Sequence, residues 1–253
     1  MMRNNIPNTL MLFSVTAMVA LSSSLSMADT DVNNISANPL SWNQLPPTIQ
    51  NYYQKNAKLN KLKLKPKDIV AIRTWHDVNG SNYLLQFQRI QPLKDIGDVQ
   101  GEKGEIVAHL YVEKDESIKR LWQVYDYVPC YDLDLTAKFV DKFSRISDID
   151  NNELTEVSLP FYLGCNGGVD PYGMKIIMYE GQQKFAVRGN SAICNAKTGQ
   201  PIDATGYYGG DYKIDEKSLQ QSALSASQKV VFRRHLQSVW RDNQCSLYFK
   251  YDD

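Results

Sequence analysis

The sequence has few histidines and no surplus charge of either sign, and both absences argue against certain functions. Only three of its 253 residues are histidines, and they share no metal-ligand or catalytic spacing: His76, His109 and His235. Lysine and arginine together number 28, as do aspartate and glutamate, so the formal net charge is zero. A neutral chain offers no general attraction for nucleic acid or for an anionic membrane surface. We therefore expect neither as a partner.

The motifs of common catalytic sites are also missing. The chain has no G-x-S-x-G elbow, no H-E-x-x-H pair and no glycine-rich phosphate loop. Two aspartate pairs, Asp132 with Asp134 and Asp148 with Asp150, could each share one strand face. Such carboxylates cleave glycosidic bonds only when held about 5 to 9.5 Å apart, which spacing in sequence does not provide. The sequence predicts no catalytic residue, and a hydrolase of envelope glycans stays open as an alternative.

Long apolar runs are confined to the first residues. Arg3, the apolar run 10–21 and the small residues Ser26 and Ala28 follow the pattern of a cleaved secretory signal peptide over residues 1–28. The run is too short to cross about 30 Å of hydrocarbon comfortably. We therefore expect an exported, periplasmic or secreted protein that keeps no membrane anchor after cleavage.

Cysteine is scarce, with four residues after the predicted cleavage site: Cys130, Cys165, Cys194 and Cys245. In an oxidising compartment an even number of cysteines predicts two disulfides, here with three possible pairings. We favour Cys130–Cys165, which would join the two ends of a predicted hairpin, and Cys194–Cys245, which would tie a loop to the last strand. Zinc is the alternative use, but no C-x-x-C or H-x-x-x-H spacing is present.

The pattern after residue 28 predicts a mainly β (β-rich α+β) fold. Residues 29–44 are polar and predict a flexible leader, followed by a single β-rich domain over 45–253 with a possible sub-division near 115–120. A proline-opened helix is expected over 48–55, and a second helix, packed on a sheet, begins at Ser225.

From Asp68 onward the apolar residues mostly recur with a period of two, which predicts antiparallel hairpins. Turns are expected around 77–82 and 181–183, and a long loop over 195–215. The strands are predicted over 69–75, 83–88, 106–112, 121–128, 132–139, 157–163, 175–180, 184–188 and 244–251.

One acidic segment has the spacing of a metal-binding loop. Asp148, Asp150, Asn152 and Glu156 place oxygen-bearing side chains at positions 1, 3, 5 and 9. Ca²⁺ takes six to eight oxygen ligands in a flexible cage, so these four residues are candidate ligands of a structural calcium ion. Glu153 occupies the position that usually holds glycine, which departs from the pattern. A polar turn held by side-chain hydrogen bonds is the alternative.

The middle third of the chain carries two resemblances. The first is carried by motifs within residues 121–189: Trp122–Val128, Cys130, Asp134–Phe139, Ile146–Asn152, Thr155–Val157, Cys165–Pro171, Met174–Gly181 and Lys184–Gly189. These motifs resemble a family of exported bacterial proteins, some of them labelled "surface polysaccharide biosynthesis protein". The acidic loop is similar to the calcium loops of integrin-type FG-GAP repeats. Neither resemblance implies a catalytic residue, but the first implies a link to the cell envelope.

Tyrosine is abundant, with 15 residues, and three lie in a glycine-containing loop: Tyr207, Tyr208 and Tyr212. Tyrosine stacks on sugars and anchors protein interfaces, so this loop is a candidate contact surface, unless its rings fold back on the core. The sequence thus predicts an exported, non-enzymatic binding or accessory protein whose partner is a cell-envelope glycan or surface polysaccharide. A periplasmic immunity or inhibitor protein, which neutralises a secreted effector enzyme by binding that protein, is the alternative.

Overall fold

The computed structural model describes residues 35–57, 62–140, 145–168, 170–195, 197–202 and 209–245. The predicted signal peptide, 1–28, lies outside these ranges, as do most of the predicted last strand and the tyrosines at 207 and 208. Two antiparallel sheets dominate the described residues, which confirms the mainly β fold predicted from the sequence.

The first sheet has the strand order β1-β2-β3-β4-β5, so each strand pairs with its neighbour in sequence. Its strands are β1 (Asn38–Pro39), β2 (Ile69–Asp77), β3 (Gly80–Ile96), β4 (Val99–Lys114) and β5 (Ser117–Tyr131). The second sheet contains β6 (Asp134–Phe139), β7 (Arg145–Ser147), β8 (Glu156–Asn166), β9 (Gly173–Glu180), β10 (Gln183–Asn190) and β11 (Tyr212–Ile214). Its order is β11-β10-β9-β8-β6, and β7 also pairs with β8.

Three α-helices accompany the sheets in the described residues: α1 (Pro47–Ala57), α2 (Glu216–Gln221) and α3 (Ala226–Asn243). Single 3-10 turns precede and follow α1, over Trp42–Gln44 and Pro66–Asp68. The helix predicted over 48–55 and the helix predicted to begin at Ser225 are confirmed. Ser225 caps α3 by accepting a hydrogen bond from the Gln228 backbone N–H, while the Gln228 side chain accepts one from the Ser225 N–H.

The elements form four layers, with α1 outside the first sheet and α2 and α3 outside the second. Apolar side chains of both sheets meet in the centre, where Trp122 of β5 stacks on Tyr179 of β9 with ring centroids 4.6 Å apart. α1 covers the outer face of the first sheet with Ile49 and Tyr53. α3 covers the second sheet with four fully buried side chains: Phe232, Leu236, Val239 and Trp240. Strand β8 is buried on both faces because it lies between these two cores.

The possible sub-division near 115–120 coincides with the turn of a hairpin. Asp115 and Glu116 both have positive φ, 49° and 61°, and form the tight turn of the β4–β5 hairpin, whose strands pair along their whole length. The chain changes sheets later, at Asp132, whose φ is +56°. Both sheets belong to one compact unit.

The described part of the predicted leader, 29–44, is built into the fold rather than flexible. Asn38 and Pro39 pair with Thr74 and Arg73 of β2. The Ile35 N–H donates to the Ile146 carbonyl at 2.9 Å, and the Ile35 side chain packs against the central core. Strand pairing and burial therefore outweigh the polar composition that suggested a flexible segment.

The favoured cysteine pairing is confirmed. Cys130 of β5 is bonded to Cys165 of β8, and Cys194 to Cys245, with Cα–Cα distances of 5.1 and 5.6 Å. The second bridge differs from expectation in one respect, because Gln244 caps α3 by donating its N–H to the Trp240 carbonyl and does not begin a strand. Two disulfides are typical of an oxidising, extracellular or periplasmic compartment. Within the described ranges, no helix has the length and apolar character needed to span a membrane.

Candidate functional site

The acidic loop predicted from the sequence joins β7 to β8 and brings three carboxylates together. One oxygen each from Asp148, Asp150 and Glu156 lies within 4.8 Å of the other two. Strand β7 pairs with the start of β8, so Ser147 lies directly opposite Glu156, and the loop between them must close on itself. The hairpin geometry thus places the first and last predicted ligands of the loop side by side.

The loop backbone folds around the Asp148 side chain. Its two carboxylate oxygens accept hydrogen bonds from the backbone N–H groups of Asn152 and Glu153, both at 3.0 Å. Glu153, at the position where such loops usually hold glycine, has a φ of +65°. This left-handed conformation costs a residue with a Cβ roughly 1–2 kcal/mol. The loop therefore adopts the turn that its spacing predicted even though the glycine is missing.

A fourth carboxylate, which the sequence analysis missed, comes from the neighbouring strand. Glu180 ends β9 directly opposite Glu156 of β8, and like charges in that position destabilise a sheet unless they are compensated. The Asn152 amide nitrogen donates to Glu180 Oε1 at 2.7 Å and to Asp150 Oδ2 at 3.2 Å. Asn152 is therefore at the cluster as predicted, but it presents its nitrogen to the carboxylates, and its oxygen accepts from the Leu154 N–H.

Glu156 is the most perturbed member of this acidic cluster of Asp148, Asp150, Glu156 and Glu180. The residue is completely buried; its Oε2 accepts from the Ile149 N–H at 2.8 Å, and its Oε1 has no partner within the described structure. Burial raises the pKa of Glu156 to about 9, and the negative charges of Asp150, Glu180 and Asp148 act in the same direction. Burial also raises the pKa of Glu180.

No basic side chain in the described residues forms an ion pair with these four acids. The ion pairs found among the described residues all lie elsewhere, on Glu105, Asp126, Glu216 and Asp242. Asp150 accepts from the neutral Gln228 amide of α3 at 2.7 Å, and its other oxygen is buried without a partner. Clustered carboxylates with unpaired buried oxygens suit a bound cation, so Asp148, Asp150 and Glu156 could hold a metal ion.

A second loop braces the acidic loop from the side of the first sheet. The Thr155 hydroxyl donates to Asp77 Oδ2 at 2.6 Å and accepts from the Trp75 indole N–H at 2.9 Å. The Val78 N–H donates to the Glu153 carbonyl at 3.1 Å. The acidic loop therefore connects both sheets with the first turn of α3.

Of the three tyrosines predicted as a contact surface, the structure describes only Tyr212. It lies in β11 and stacks on the buried Trp240 of α3, with ring centroids 5.0 Å apart. This half-buried position corresponds to the alternative in which the ring folds back on the core. Tyr207 and Tyr208 lie outside the described residues, so their role stays a prediction.

A row of three aromatic rings, two of them exposed and one half-buried, lies instead on β5. Tyr125, Tyr127 and Tyr131 point to the same outer face of the first sheet, beyond the part that α1 covers. Tyr127 is 51% and Tyr125 38% exposed, and their ring centroids lie 5.9 Å apart. The Tyr125 hydroxyl donates to the buried Glu105 at 2.8 Å, which fixes its ring. The alternation Tyr125, Tyr127, Tyr131 is visible in the sequence and could have identified this aromatic row.

The histidines lie apart from one another and from the acidic cluster. His109 is buried between the Tyr111 hydroxyl and Gln123, and burial lowers its pKa to about 4. His235 is buried against Ser158, and burial lowers its pKa to about 4 as well. Both are neutral at physiological pH, in keeping with structural roles.

Comparison of the chain with protein-family models, with curated proteins and with solved structures finds no match. The two resemblances drawn from the sequence motifs therefore stay predictions.

Proposed function

We propose that this protein is an exported, non-enzymatic binding protein of the cell envelope, stabilised by one calcium ion at the acidic cluster. The observation that carries the calcium proposal is the buried Glu156 carboxylate, whose unpartnered oxygen lies among three further carboxylates. Within the described ranges, none of these carboxylates is paired with a basic side chain. Burying such a group is costly unless a proton or a cation neutralises it.

Calcium fits this donor set better than other common metals. Every charged side chain in the acidic cluster is a carboxylate, whereas zinc sites usually include histidine or cysteine. Ca²⁺ accepts six to eight oxygens in irregular arrangements, and Mg²⁺ requires a near-octahedral shell that retains several waters. The carboxylates come from an irregular loop and from the adjoining ends of β8 and β9, and this irregular arrangement favours the ion that tolerates irregular geometry. If the Asn152 side-chain amide were rotated by 180°, its oxygen would face the carboxylates and could coordinate the ion, as the sequence spacing predicts.

The proposed role of the ion is structural. Glu156 is completely buried, so a substrate cannot reach it without rearrangement of the loop. An ion at this position would tie the β7–β8 loop to β9, next to the first turn of α3. Metal binding of this kind adds its binding free energy to the stability of the fold.

The proposed binding surface is the aromatic row on β5. Flat exposed rings beside hydrogen-bonding groups can stack on the faces of sugar rings. The Lys103 ammonium, 5.7 Å from the Tyr127 ring centroid, supplies a hydrogen-bond donor beside the row. Six residue steps separate Tyr125 from Tyr131, which corresponds to about 20 Å of extended strand at roughly 3.3 Å per residue. Strand β5 is the edge strand of the first sheet and contains Pro129. Because proline has no backbone N–H, it disfavours the pairing of a further protein strand with this edge. An extended cell-envelope glycan is therefore the favoured partner over the protein partner of an immunity protein.

Thermal unfolding of the exported protein tests the calcium proposal. The wild type, Glu180→Gln and Asp150→Asn would be unfolded in calcium-free buffer and again with millimolar Ca²⁺ or Mg²⁺. We expect Ca²⁺ to raise Tm in the wild type, by the equivalent of about 4 kcal/mol at a thousandfold excess over Kd, and to have little effect in the variants. Glu216→Gln, at an exposed carboxylate paired with Arg233, is the matched control. An unchanged wild-type Tm, or equal rises in all the proteins, would contradict the proposal.

A further inference from the structure

A small cavity lies between α1 and the outer face of the first sheet and shares no residue with the acidic cluster. Its volume is about 160 Å³, and it is lined by Tyr52, Asn56, Tyr111 and Arg120. A cavity of this size holds several water molecules or one small polar group. The lining offers hydroxyl groups, an amide and one guanidinium, so it is polar and carries charge of one sign.

A β-bulge places the only charged residue of this lining. Leu110 of β4 lies opposite Trp122 of β5, but the next residue, Tyr111, lies opposite Arg120, so that Leu121 is an extra residue in β5. The bulge lets Leu121 pack against the central core while Arg120 stays on the same face as Tyr111. In a regular ladder Leu121 would be opposite Tyr111. Bulges re-aim side chains in this way next to binding sites.

The guanidinium of Arg120 has no counter-charge among the described residues. It is exposed, and each ion pair in the described ranges involves another basic residue. Its charge nevertheless reaches the buried groups behind the cavity. Burial raises the pKa of Tyr111, and the charge of Arg120 opposes that shift. Burial lowers the pKa of His109, and the charge of Arg120 adds to that shift. The cavity is thus positively charged in a protein without net charge.

The walls of the cavity are held in place by hydrogen bonds and ring contacts. The Tyr111 hydroxyl lies 3.0 Å from His109 Nδ1, and His109 Nε2 lies 3.0 Å from Gln123 Oε1. The Tyr52 ring meets the Tyr111 ring edge-on with centroids 5.8 Å apart. Asn56 is fixed by donating to the Tyr52 carbonyl at 2.8 Å. Three of the four lining side chains are thus held before a ligand binds, which lowers the conformational entropy lost on binding.

We propose that this cavity is a binding site for an oxyanion, the carboxylate or phosphate group of a small ligand, with Arg120 as its main contact. A guanidinium binds either group through two parallel N–H donors, which a flexible ammonium does not reproduce. Tyr52 and Asn56, which also line the cavity, carry a hydroxyl and an amide that can donate further hydrogen bonds. The site is independent of the calcium proposal, because none of its residues belongs to the acidic loop or β9.

Isothermal titration of the exported protein with sodium phosphate, and separately with sodium acetate, at constant ionic strength tests this proposal. The wild type should show saturable binding of at least one anion, and the anion that binds identifies the source as phosphate or carboxylate. Arg120→Gln should weaken binding at least tenfold, and Arg120→Lys should restore little of it. Lys119→Gln removes a neighbouring exposed charge that is not in the cavity lining and should leave binding unchanged.

Two results would overturn the inference: no saturable binding of either anion, or equal binding by the wild type and Arg120→Gln. Tyr52→Phe, which removes one hydroxyl from the cavity and keeps the ring, should weaken binding less than Arg120→Gln does. Circular dichroism of each variant confirms the fold. The titrations are run with and without Ca²⁺, so that failure of the calcium proposal and failure of the oxyanion site are distinguishable.

Discussion

The buried Glu156 should make the stability of the calcium-free protein fall as pH rises. In the folded protein its pKa is raised from 4.5 to about 9, so between these values the folded state holds a proton that the unfolded chain has lost. The stability that this proton adds to the folded state is fully present below the pKa of Glu156 in the unfolded chain. It is lost as pH rises toward the pKa of Glu156 in the folded protein. Each pH unit costs about 1.4 kcal/mol, so the contribution of Glu156 to the free energy of unfolding should fall by roughly 4 kcal/mol between pH 5 and pH 8. Burial lowers the pKa values of His109 and His235, which act in the opposite direction below about pH 6.5, so the contribution of Glu156 is the difference in slope between the wild type and a variant without this carboxyl.

Glu156→Gln removes the titrating group and keeps its size, so the variant should lack this contribution, and its slope should differ from that of the wild type by about 1.4 kcal/mol per pH unit. Calcium should also abolish the fall in the wild type, because the ion replaces the proton and binds more tightly as Glu156 ionises. Urea denaturation followed by tryptophan fluorescence, at several pH values in calcium-depleted buffer, measures the slope directly.

Glu216→Gln provides the control for this experiment. The hydrogen bond from Arg233 lowers the pKa of the exposed Glu216, so its contribution is lost only as pH falls below the normal range of a carboxylate. The slope between pH 5 and pH 8 should be the same in this variant as in the wild type. Parallel slopes for the wild type and Glu156→Gln would refute the reasoning, since they would show that Glu156 does not hold the extra proton.

Three further substitutions test separate parts of the account. Glu153→Gly should raise the free energy of unfolding by about 0.5–1 kcal/mol in chemical denaturation, because glycine adopts the observed positive φ without strain. Replacing both Cys130 and Cys165 with serine should lower it by about 4 kcal/mol, as expected for a bridge spanning 35 residues. Tyr127→Ala should reduce co-sedimentation with purified envelope polysaccharide about tenfold without changing Tm, because it removes the most exposed ring of the aromatic row. Unchanged co-sedimentation would remove the support for a glycan partner on β5.

Features that depend only on neighbouring residues in the chain were predicted correctly from the sequence. The β9–β10 hairpin was predicted from its turn, and Gly181 takes a φ of +52° there. The spacing of Asp148, Asp150 and Glu156 predicted their convergence, because a short loop must bring such side chains to one concave side. Helix α3 was predicted from its apolar period and its capping residue at 225.

The rest depends on strand register and tertiary packing, which a local pattern does not contain. Glu180 joins the acidic cluster only because β8 and β9 pair with Glu156 opposite it. Arg120 reaches the cavity through a single extra residue in β5, and without that bulge its side chain would lie on the other face. Helix α2 was missed because it is short and directly follows the segment 195–215, whose composition indicated a loop. Each of these features depends on contacts between residues far apart in the sequence, which form only in the complete fold.

Calorimetric titration of Ca²⁺ into the calcium-depleted protein at pH 7 tests the central claim most directly. Repeating it in buffers with different ionisation enthalpies also counts the protons released. We expect one ion bound per chain with about one proton released, because Glu156 is protonated before the ion enters. Glu156→Gln should bind more weakly and release no proton. The absence of saturable binding, or binding without proton release in the wild type, would contradict the account.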